Sequence, residues 1–150
     1  MNFYLLPAIE FGPQVIRRLL DQLPHERLDL PLHADRFTPR EAMAHLADWE
    51  PIMRERIRMA LTSPGSETPA YDEGQMAIDH HYAEQDPEAQ VEVFVRERNA
   101  TAALLRGLSE ADWQQPVHHP ERGRQTVEDM ANALLGHDLY HIEQLTEYLG

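Results

Sequence analysis

Four amphipathic segments with helix-start signals dominate this chain of 150 residues and most strongly constrain its fold. Each opens with a proline at the first helical position, or with a capping residue followed by an acidic first turn. Apolar residues then recur at three- and four-residue steps, as they do on one face of an α-helix. The predicted helices run from Gly12 or Pro13 to Leu23, from Thr38 to about Ala60, from Asp86 to Gly107 and from Thr126 to Leu149.

Four such segments favour an all-α fold, a four-helix bundle in which the apolar faces pack against one another. No alternating run of apolar and polar residues predicts a strand, and residues 114–125 are predicted to be a loop. The long connection from Thr62 to Asp86 permits a crossover between the second and third helices, with a short helix over Glu73–Glu84. We expect residues 1–150 to form a single domain.

Two prolines affect the predicted helices. Residues 5–11 could form a preceding helical turn, and Gly12-Pro13 leaves open whether that turn is continuous with the first helix. Pro51 deletes one backbone hydrogen bond within the second helix, so we expect a kink near residues 47–50, one turn beyond His45.

Composition excludes several classes of function. A formal net charge of −13 disfavours binding to nucleic acid or to an anionic membrane surface. The chain has no cysteine, and its 13 basic residues are all arginine. No side chain of the protein can therefore act as a thiolate or as a lysine amine in catalysis. No glycine-rich nucleotide loop is present, and no apolar run is long enough to span a bilayer. With no signal peptide recognised, we expect a cytoplasmic protein.

Two histidines in the last helix are the strongest sign of chemistry. His137 and His141 stand one helical turn apart within an apolar stripe that also contains Met130, Leu134, Leu145 and Tyr148. His45 occupies an equivalent place on the second helix, between Ala42 and Trp49. Buried imidazoles need polar partners, and one divalent metal ion would satisfy all three. The alternative is that these histidines are core or surface residues bonded to carbonyls and carboxylates.

Polar residues close to these histidines in sequence are candidates for supporting roles. Glu41 and Asp48 lie on the same side of the second helix as His45, and either could orient an imidazole or accept a proton. Asp138 is a further acidic neighbour. Gln144 could hydrogen-bond a ligand, although an exposed position is expected. The other six histidines are expected to be surface residues, except that His80 or His81 could line the site if the crossover covers it.

Several motifs resemble the DinB/YfiT-like superfamily, and together they cover nearly the whole chain. Phe37–Glu41 leading into Ala44–Glu50 resembles the second-helix signature of that superfamily. Gly123–Met130 followed by Gly136–Gln144 resembles its last-helix signature. The connector from Leu108 to Val117 and the segment from Leu23 to Pro31 fit the same pattern. Pro51 departs from the pattern just beyond the block that contains His45.

The resemblance implies a four-helix bundle, commonly a homodimer, with a three-histidine site for zinc or nickel at His45, His137 and His141. It also implies a metal-dependent transferase or isomerase that uses a low-molecular-weight thiol. The leading hypothesis is therefore a thiol S-transferase that acts on a small electrophile in detoxification or the stress response, with Asp48 as a candidate for proton handling. The alternatives are a metal-dependent hydrolase and a non-catalytic metal-binding dimer.

Overall fold

A computed structural model describes residues 1–150 and contains four long helices. The helices are α1 (Leu5–Gln22), α2 (Pro39–Thr62), α3 (Glu73–Asp79), α4 (Pro87–Arg106), α5 (Glu110–Trp113) and α6 (Val127–Thr146), and the two strands are β1 (Pro116–His119) and β2 (Gly123–Thr126). The predicted caps are confirmed: Thr38 and Thr126 each form a capping box, and Asp86 caps α4. No helix is both long and apolar enough to cross a membrane.

The four long helices form a bundle in which neighbouring pairs are alternately parallel and antiparallel. One ion pair joins the amino group of Met1, just before α1, to Glu128 at the start of α6. Arg27, beyond the end of α1, donates to carbonyls at the end of the chain, so α1 and α6 are parallel. Ion pairs Arg17–Glu92 and Arg106–Glu10 make α1 antiparallel to α4. The α2–α6 pair is also antiparallel, because Gln144 bonds to Phe37 while His45 meets His137. Consequently α2 and α4 run in the same direction, which requires the long crossover that the sequence predicts.

The crossover is partly ordered by other parts of the chain. It contains α3 and a short 3₁₀ turn at Tyr82–Glu84, in agreement with the predicted short helix. Its first residues, 65–68, lie beside β1 and exchange backbone hydrogen bonds with Pro116 and His118. The connection is thereby held against the bundle, and it brings α3 over the face between α2 and α6.

Two predictions about local structure were wrong. Residues 114–125 include an antiparallel pair of strands, with Val117 opposite Gln125 and Gly123 at positive φ in the turn region. Strands of four residues, only partly buried, give too little alternation to be detected in the sequence. The last helix also ends at Thr146 and not at Leu149.

The first helix begins at Leu5 and continues through Pro13, so residues 5–11 belong to the same helix. Proline cannot donate a hydrogen bond to the carbonyl four residues earlier, here that of Ile9. The Arg98 guanidinium of α4 donates to this carbonyl at 2.9 Å, so the group left free by Pro13 has a partner. The helix therefore tolerates the proline because a side chain from another helix replaces the missing backbone donor.

A polar layer divides the core into two apolar halves. One half contains Leu5, Ile9, Met53 and Leu134, and the other contains Ile16, Leu20, Phe94 and Leu145, among other residues. Between them, Arg98 binds the carboxylates of Glu50 and Asp138, and all three side chains are at most 2% exposed. The three histidines singled out by the sequence lie in the same region, where α2 meets α6.

Candidate metal centre

The structure brings the three predicted histidines together in one cluster. The Nε2 atom of His137 lies 2.9 Å from Nε2 of His45 and 3.2 Å from Nε2 of His141. The potential ligand atoms of the three residues all lie within 4.8 Å of one another. His45 and His141 are buried and His137 is half-buried. The amphipathic register of α2 and α6 accounts for this convergence, since each histidine lies on the stripe that faces the other helix.

Gln144 fixes the orientation of one imidazole. His141 Nδ1 and Gln144 Oε1 are 2.9 Å apart, and since an amide oxygen can only accept, Nδ1 carries the proton. The amide nitrogen of Gln144 donates in turn to the carbonyl of Phe37 at the start of α2. His141 therefore directs the lone pair of Nε2 toward the other two imidazoles. Gln144 is 1% exposed, so the expectation of an exposed position was wrong.

Burial keeps the three imidazoles neutral near pH 7. Desolvation lowers the pKa of His45 to about 2, with a further contribution from the neighbouring His137 and His141. Burial also lowers the pKa of His137 to about 4, assisted by Arg98 and Arg122, and that of His141 to about 3, assisted by His137. Neutral imidazole is the form that binds a metal ion.

The geometry of the cluster fits a metal ion better than it fits hydrogen bonding alone. Nε2 of a neutral imidazole carries either one proton or one lone pair, so His137 can make a normal hydrogen bond to only one of its two neighbours. A cation between the three nitrogens would accept all three lone pairs. Two imidazole nitrogens on one tetrahedral zinc ion lie about 3.3 Å apart, close to the separations in the cluster. The buried Nδ1 of His45 has no hydrogen-bond partner.

Two cavities adjoin the cluster, and we call them the large and the small lobe of the cleft. The large lobe, about 540 Å³, is lined by the three histidines, residues 34–37 and one side of α3, among others. The small lobe, about 200 Å³, also borders His137 and is lined by Trp49, Met53, Glu73, Arg122, Ala133, Leu134 and His137. His137 and Glu73 line both cavities. A ligand on the cluster would therefore have space on two sides.

Asp48 does not lie in this cleft. Its carboxylate accepts hydrogen bonds from Tyr82 at 2.6 Å and pairs with His80 Nδ1 at 2.5 Å. It lines a separate cavity with His80 and Tyr82, although the Tyr82 ring packs beside that of His45. Burial, together with the bond to Asp48, raises the pKa of Tyr82. A role for Asp48 in proton handling stays a prediction.

The remaining polar residues considered in the sequence have mainly structural contacts. Glu41 accepts from the backbone of Thr38 in the capping box, and Asp138 binds Arg98. His81 adopts the left-handed conformation at the turn after α3. His119 is 4% exposed, contrary to the expectation of a surface residue, and its Nδ1 accepts two backbone N–H groups in the turn between β1 and β2.

Sequence reasoning missed two residues that line the cleft, Glu73 and Arg122. Glu73 comes from the crossover, and burial raises the pKa of its carboxyl group. Arg122 comes from the turn between the strands. Neither lies on a periodic stripe, so no local pattern marks them. Their positions follow from the paths of two connections across the bundle.

A helical bundle with a three-histidine cluster between antiparallel helices defines a recognisable class of candidate metal proteins. The sequence matches the DinB superfamily over residues 8–145, and the chain belongs to that superfamily. YfiT of Bacillus subtilis is 25% identical over 146 residues, which cover 95% of this chain and 80% of YfiT. A relative from Oceanobacillus iheyensis is 25% identical over 138 residues, covering 92% and 80%. Both are named as candidate metal-dependent hydrolases.

Solved structures confirm the fold. That of YfiT superposes with a TM-score of 0.90 at 23% identity, covering 96% of this chain and 83% of YfiT, and is described as having an unusual four-helix bundle topology. A mycothiol-dependent maleylpyruvate isomerase superposes with a TM-score of 0.75 at 16% identity, covering 94% of this chain and 59% of the isomerase. The predicted four-helix bundle and family are thereby confirmed.

Proposed function

We propose that the protein is a divalent-metal-dependent enzyme that uses a low-molecular-weight thiol to attack a small electrophile. His45, His137 and His141 would hold zinc or nickel. The observation that carries the proposal is the convergence of three neutral Nε2 atoms at the wall of an open cleft. When bound, such a metal lowers the pKa of a coordinated thiol, so that the thiolate forms near neutral pH.

The residues of the chain have distinct tasks in this proposal. The three imidazoles hold the ion and, being three, leave a coordination position for a ligand. Gln144 keeps His141 in the tautomer that presents Nε2. The large lobe, at about 540 Å³, has room for a thiol and a second reactant side by side. The role in detoxification or stress and the cytoplasmic location belong to the same proposal.

Asp48, the predicted candidate for proton handling, is bound to His80 and Tyr82 outside the cleft, so it has no contact with the reactants in this proposal. A bound metal would lower the pKa of a coordinated thiol, and the proton of the thiol would then pass to solvent near neutral pH.

A second candidate is a metal-dependent hydrolase, as the names of the relatives indicate. The same open position would then activate water. Glu73, which lines both lobes, would be a candidate for a base. Ester or amide turnover without any thiol distinguishes this function from the first.

The test is a turnover assay on protein loaded separately with zinc and nickel. A panel of small thiols is offered with a generic chlorodinitrobenzene electrophile, and loss of thiol is followed over time. We expect metal-dependent conjugation that His137→Ala abolishes and that His25→Ala, a change at an exposed histidine, leaves intact. The absence of metal-dependent turnover with every thiol would contradict the proposal, and tight metal binding without ester or amide turnover would then favour a non-catalytic metal protein.

We also propose a homodimer that uses the outer face of α1 and α6. Phe11 of α1 and Leu139 of α6 are each 63% exposed, and Phe3, just before α1, is 84% exposed. Exposed aromatic and aliphatic side chains of this size often mark protein interfaces. Sedimentation equilibrium should give twice the chain mass, and Phe11→Asp with Leu139→Asp should give a monomer. The control Ile78→Asp changes an equally exposed residue on α3, and dissociation by this control alone would exclude the α1–α6 face.

A further inference from the structure

An unbalanced positive charge lies beside the small lobe of the cleft, in a protein whose net charge is −13. Arg56 is 3% exposed and has no carboxylate within ion-pair distance. Its guanidinium donates hydrogen bonds only to the Met53 sulfur and the Pro69 carbonyl, it lies over the rings of Trp49 and Tyr71, and its Nε has no hydrogen-bond partner. A buried cation without a counterion is costly, and other buried arginines of this chain, such as Arg98, are paired.

Arg56 lies behind the wall of the lobe and adds charge to it. Its guanidinium carbon is 5.3 Å from the centre of the Trp49 ring, and Trp49 lines the small lobe. Burial lowers the pKa of Arg56, and the nearby positive charge of Arg122 lowers it further. An anion in the small lobe would therefore lie beside Arg122 and be separated from Arg56 by the Trp49 ring.

Arg122 faces the lobe directly and is held in place by the turn that carries it. Its side chain makes no ion pair, while its backbone N–H donates to His119 Nδ1. Burial, with help from Arg56 and Arg122, lowers the pKa of His119, so the ring is neutral and Nδ1 can accept this bond. The turn thus presents an unpaired guanidinium beside His137 of the histidine cluster.

Glu73 is the acidic group that lines the lobe, and it does not neutralise both arginines. It makes no ion pair with either of them, and burial raises the pKa of its carboxyl group against the opposing effect of Arg122 and Arg56. Even when ionised it leaves one positive charge unbalanced. The space of about 200 Å³ accommodates a carboxylate with a short carbon chain.

We propose that the small lobe binds the carboxylate of one reactant, with Arg122 as its direct partner, Arg56 as the charge behind Trp49, and Trp49 as the apolar wall. The inference rests on the proposed function and specifies its substrate class: either the thiol or the second reactant carries a carboxylate. Arginine suits this task because its planar guanidinium bonds a carboxylate through two parallel hydrogen bonds.

The first arm of the test uses metal-free, ¹⁵N-labelled protein and does not depend on catalysis. Propionate and its neutral analogue propionamide are titrated while the indole N–H of Trp49 is followed by NMR, with Trp113 as an internal reference. We expect propionate to shift the Trp49 signal more than propionamide does. Arg122→Gln should weaken propionate binding about tenfold, as expected for loss of a charge-assisted hydrogen bond.

Two further variants make this arm specific. Arg124→Gln changes an exposed arginine of β2 outside the lobe and should leave the affinity unchanged. Glu73→Gln removes the opposing charge and should strengthen propionate binding. Equal shifts by propionate and propionamide, or equal losses in Arg122→Gln and Arg124→Gln, would overturn the proposal.

The second arm identifies which reactant carries the carboxylate. Cobalt-loaded protein is titrated with 3-mercaptopropionate and with 3-mercaptopropionamide, and affinity is read from the visible spectrum of cobalt. A preference for the anionic thiol that Arg122→Gln removes places the carboxylate on the thiol. Equal affinities, with propionate binding still dependent on Arg122, place it on the second reactant. A spectrum that neither thiol changes would count against the proposed thiol chemistry, whereas the lobe itself is judged by the first arm.

Discussion

Each imidazole of the cluster has a different environment at the scale of the single residue. His141 donates to Gln144, His45 packs between Phe37 and Trp49 with an unpartnered Nδ1, and His137 is half-buried at the junction of the two lobes. Only His141 therefore has its tautomer fixed by a side chain. Of the three imidazoles, His141 should therefore contribute most to the affinity for the metal, because its ring is already oriented before the metal binds.

The first prediction concerns this bond to Gln144. Gln144→Leu removes the acceptor for Nδ1 of His141 and should weaken zinc affinity about tenfold or more, the range seen when a partner of a metal ligand is lost. Competition against a chromophoric chelator measures the change. Asn132→Ala, at an exposed position of the same helix, is the control and should keep the parental affinity. Equal affinities of the Gln144→Leu variant and the parent would show that the bond does not orient the ligand.

The second prediction concerns acid stability of the metal-free protein. The folded-state pKa values of about 2, 4 and 3 for His45, His137 and His141 lie below the usual 6.5, so the unfolded chain binds more protons in this interval. The contribution of these three histidines to the free energy of unfolding is fully present above about pH 6.5. It is lost as the pH falls toward their folded-state pKa values. Urea unfolding should show lower stability at pH 5 than at pH 7. Replacing all three histidines with leucine should remove most of that difference; an unchanged difference would contradict the buried, neutral assignment.

Residue-level prediction from sequence succeeded where helical periodicity applies. The spacing of His137 and His141 and the register of His45, together with the family resemblance, predicted that the three converge. Asp48 shares the exposed edge of that register, but the crossover brings Tyr82 and His80 to it from 34 and 32 residues away. Contacts made by a connection of irregular structure cannot be read from local spacing, which is also why Glu73 and Arg122 were missed.

At the scale of elements, the Arg98 network connects all four long helices at one level. It joins the Ile9 carbonyl of α1, Glu50 of α2 and Asp138 of α6 to a single guanidinium of α4. Although burial opposes its charge, the two carboxylates hold the pKa of Arg98 above its ordinary value. The network therefore fixes the positions of the four helices along the bundle axis, which their apolar faces alone would not determine.

The third prediction follows from this connection. Arg98→Met leaves two buried carboxylates and one carbonyl without their partner and should lower the free energy of unfolding by about 3–5 kcal/mol. Denaturant unfolding monitored by circular dichroism measures the loss. Arg96→Met, at a position whose side chain is 71% exposed on the same helix, should change stability by less than about 0.5 kcal/mol. A similarly small effect of both substitutions would mean that the network contributes little.

The fourth prediction compares two glycines within helices. A Cβ at Gly12 would contact the Asp138 carboxylate and lie 3.3 Å from Arg98 Nη1, so Gly12→Ala should destabilise by about 1–3 kcal/mol. A Cβ at Gly136 meets nothing within 4 Å, so Gly136→Ala should stabilise α6 by about 0.5–1 kcal/mol through helix propensity. Thermal unfolding should give shifts of opposite sign. Shifts of the same sign would argue against close packing of α1 on the network.

Prediction of elements failed where a tertiary contact overrides a local signal. Pro13 signals a helix start, yet the Arg98 donor and the burial of Leu5 and Ile9 extend α1 by two turns before it. Residues 65–68 also dock beside β1, a contact between distant parts of the chain that no local pattern marks. Caps, in contrast, are local hydrogen bonds, and those of α2, α4 and α6 were predicted correctly.

At the scale of the whole molecule, the bundle places the Arg98 network and the histidine cluster between two apolar halves. The halves supply the burial that stabilises the fold, while the layer contains both the ion network and the histidine cluster. The crossover required by parallel α2 and α4 brings α3 over the cluster and so builds the large lobe. The topology and the candidate site are thus linked, because the crossover between the parallel helices α2 and α4 also forms one wall of the cleft.

The central claim is that three imidazoles of one chain hold a divalent metal ion. Its most direct test is metal analysis of protein purified without a histidine tag, combined with X-ray absorption at the edge of the metal found. The account predicts one zinc or nickel ion per chain with three imidazole ligands, and loss of that ion in His137→Ala. A parental protein without stoichiometric metal after incubation with zinc or nickel, or a His137→Ala variant that binds it equally well, would contradict the account.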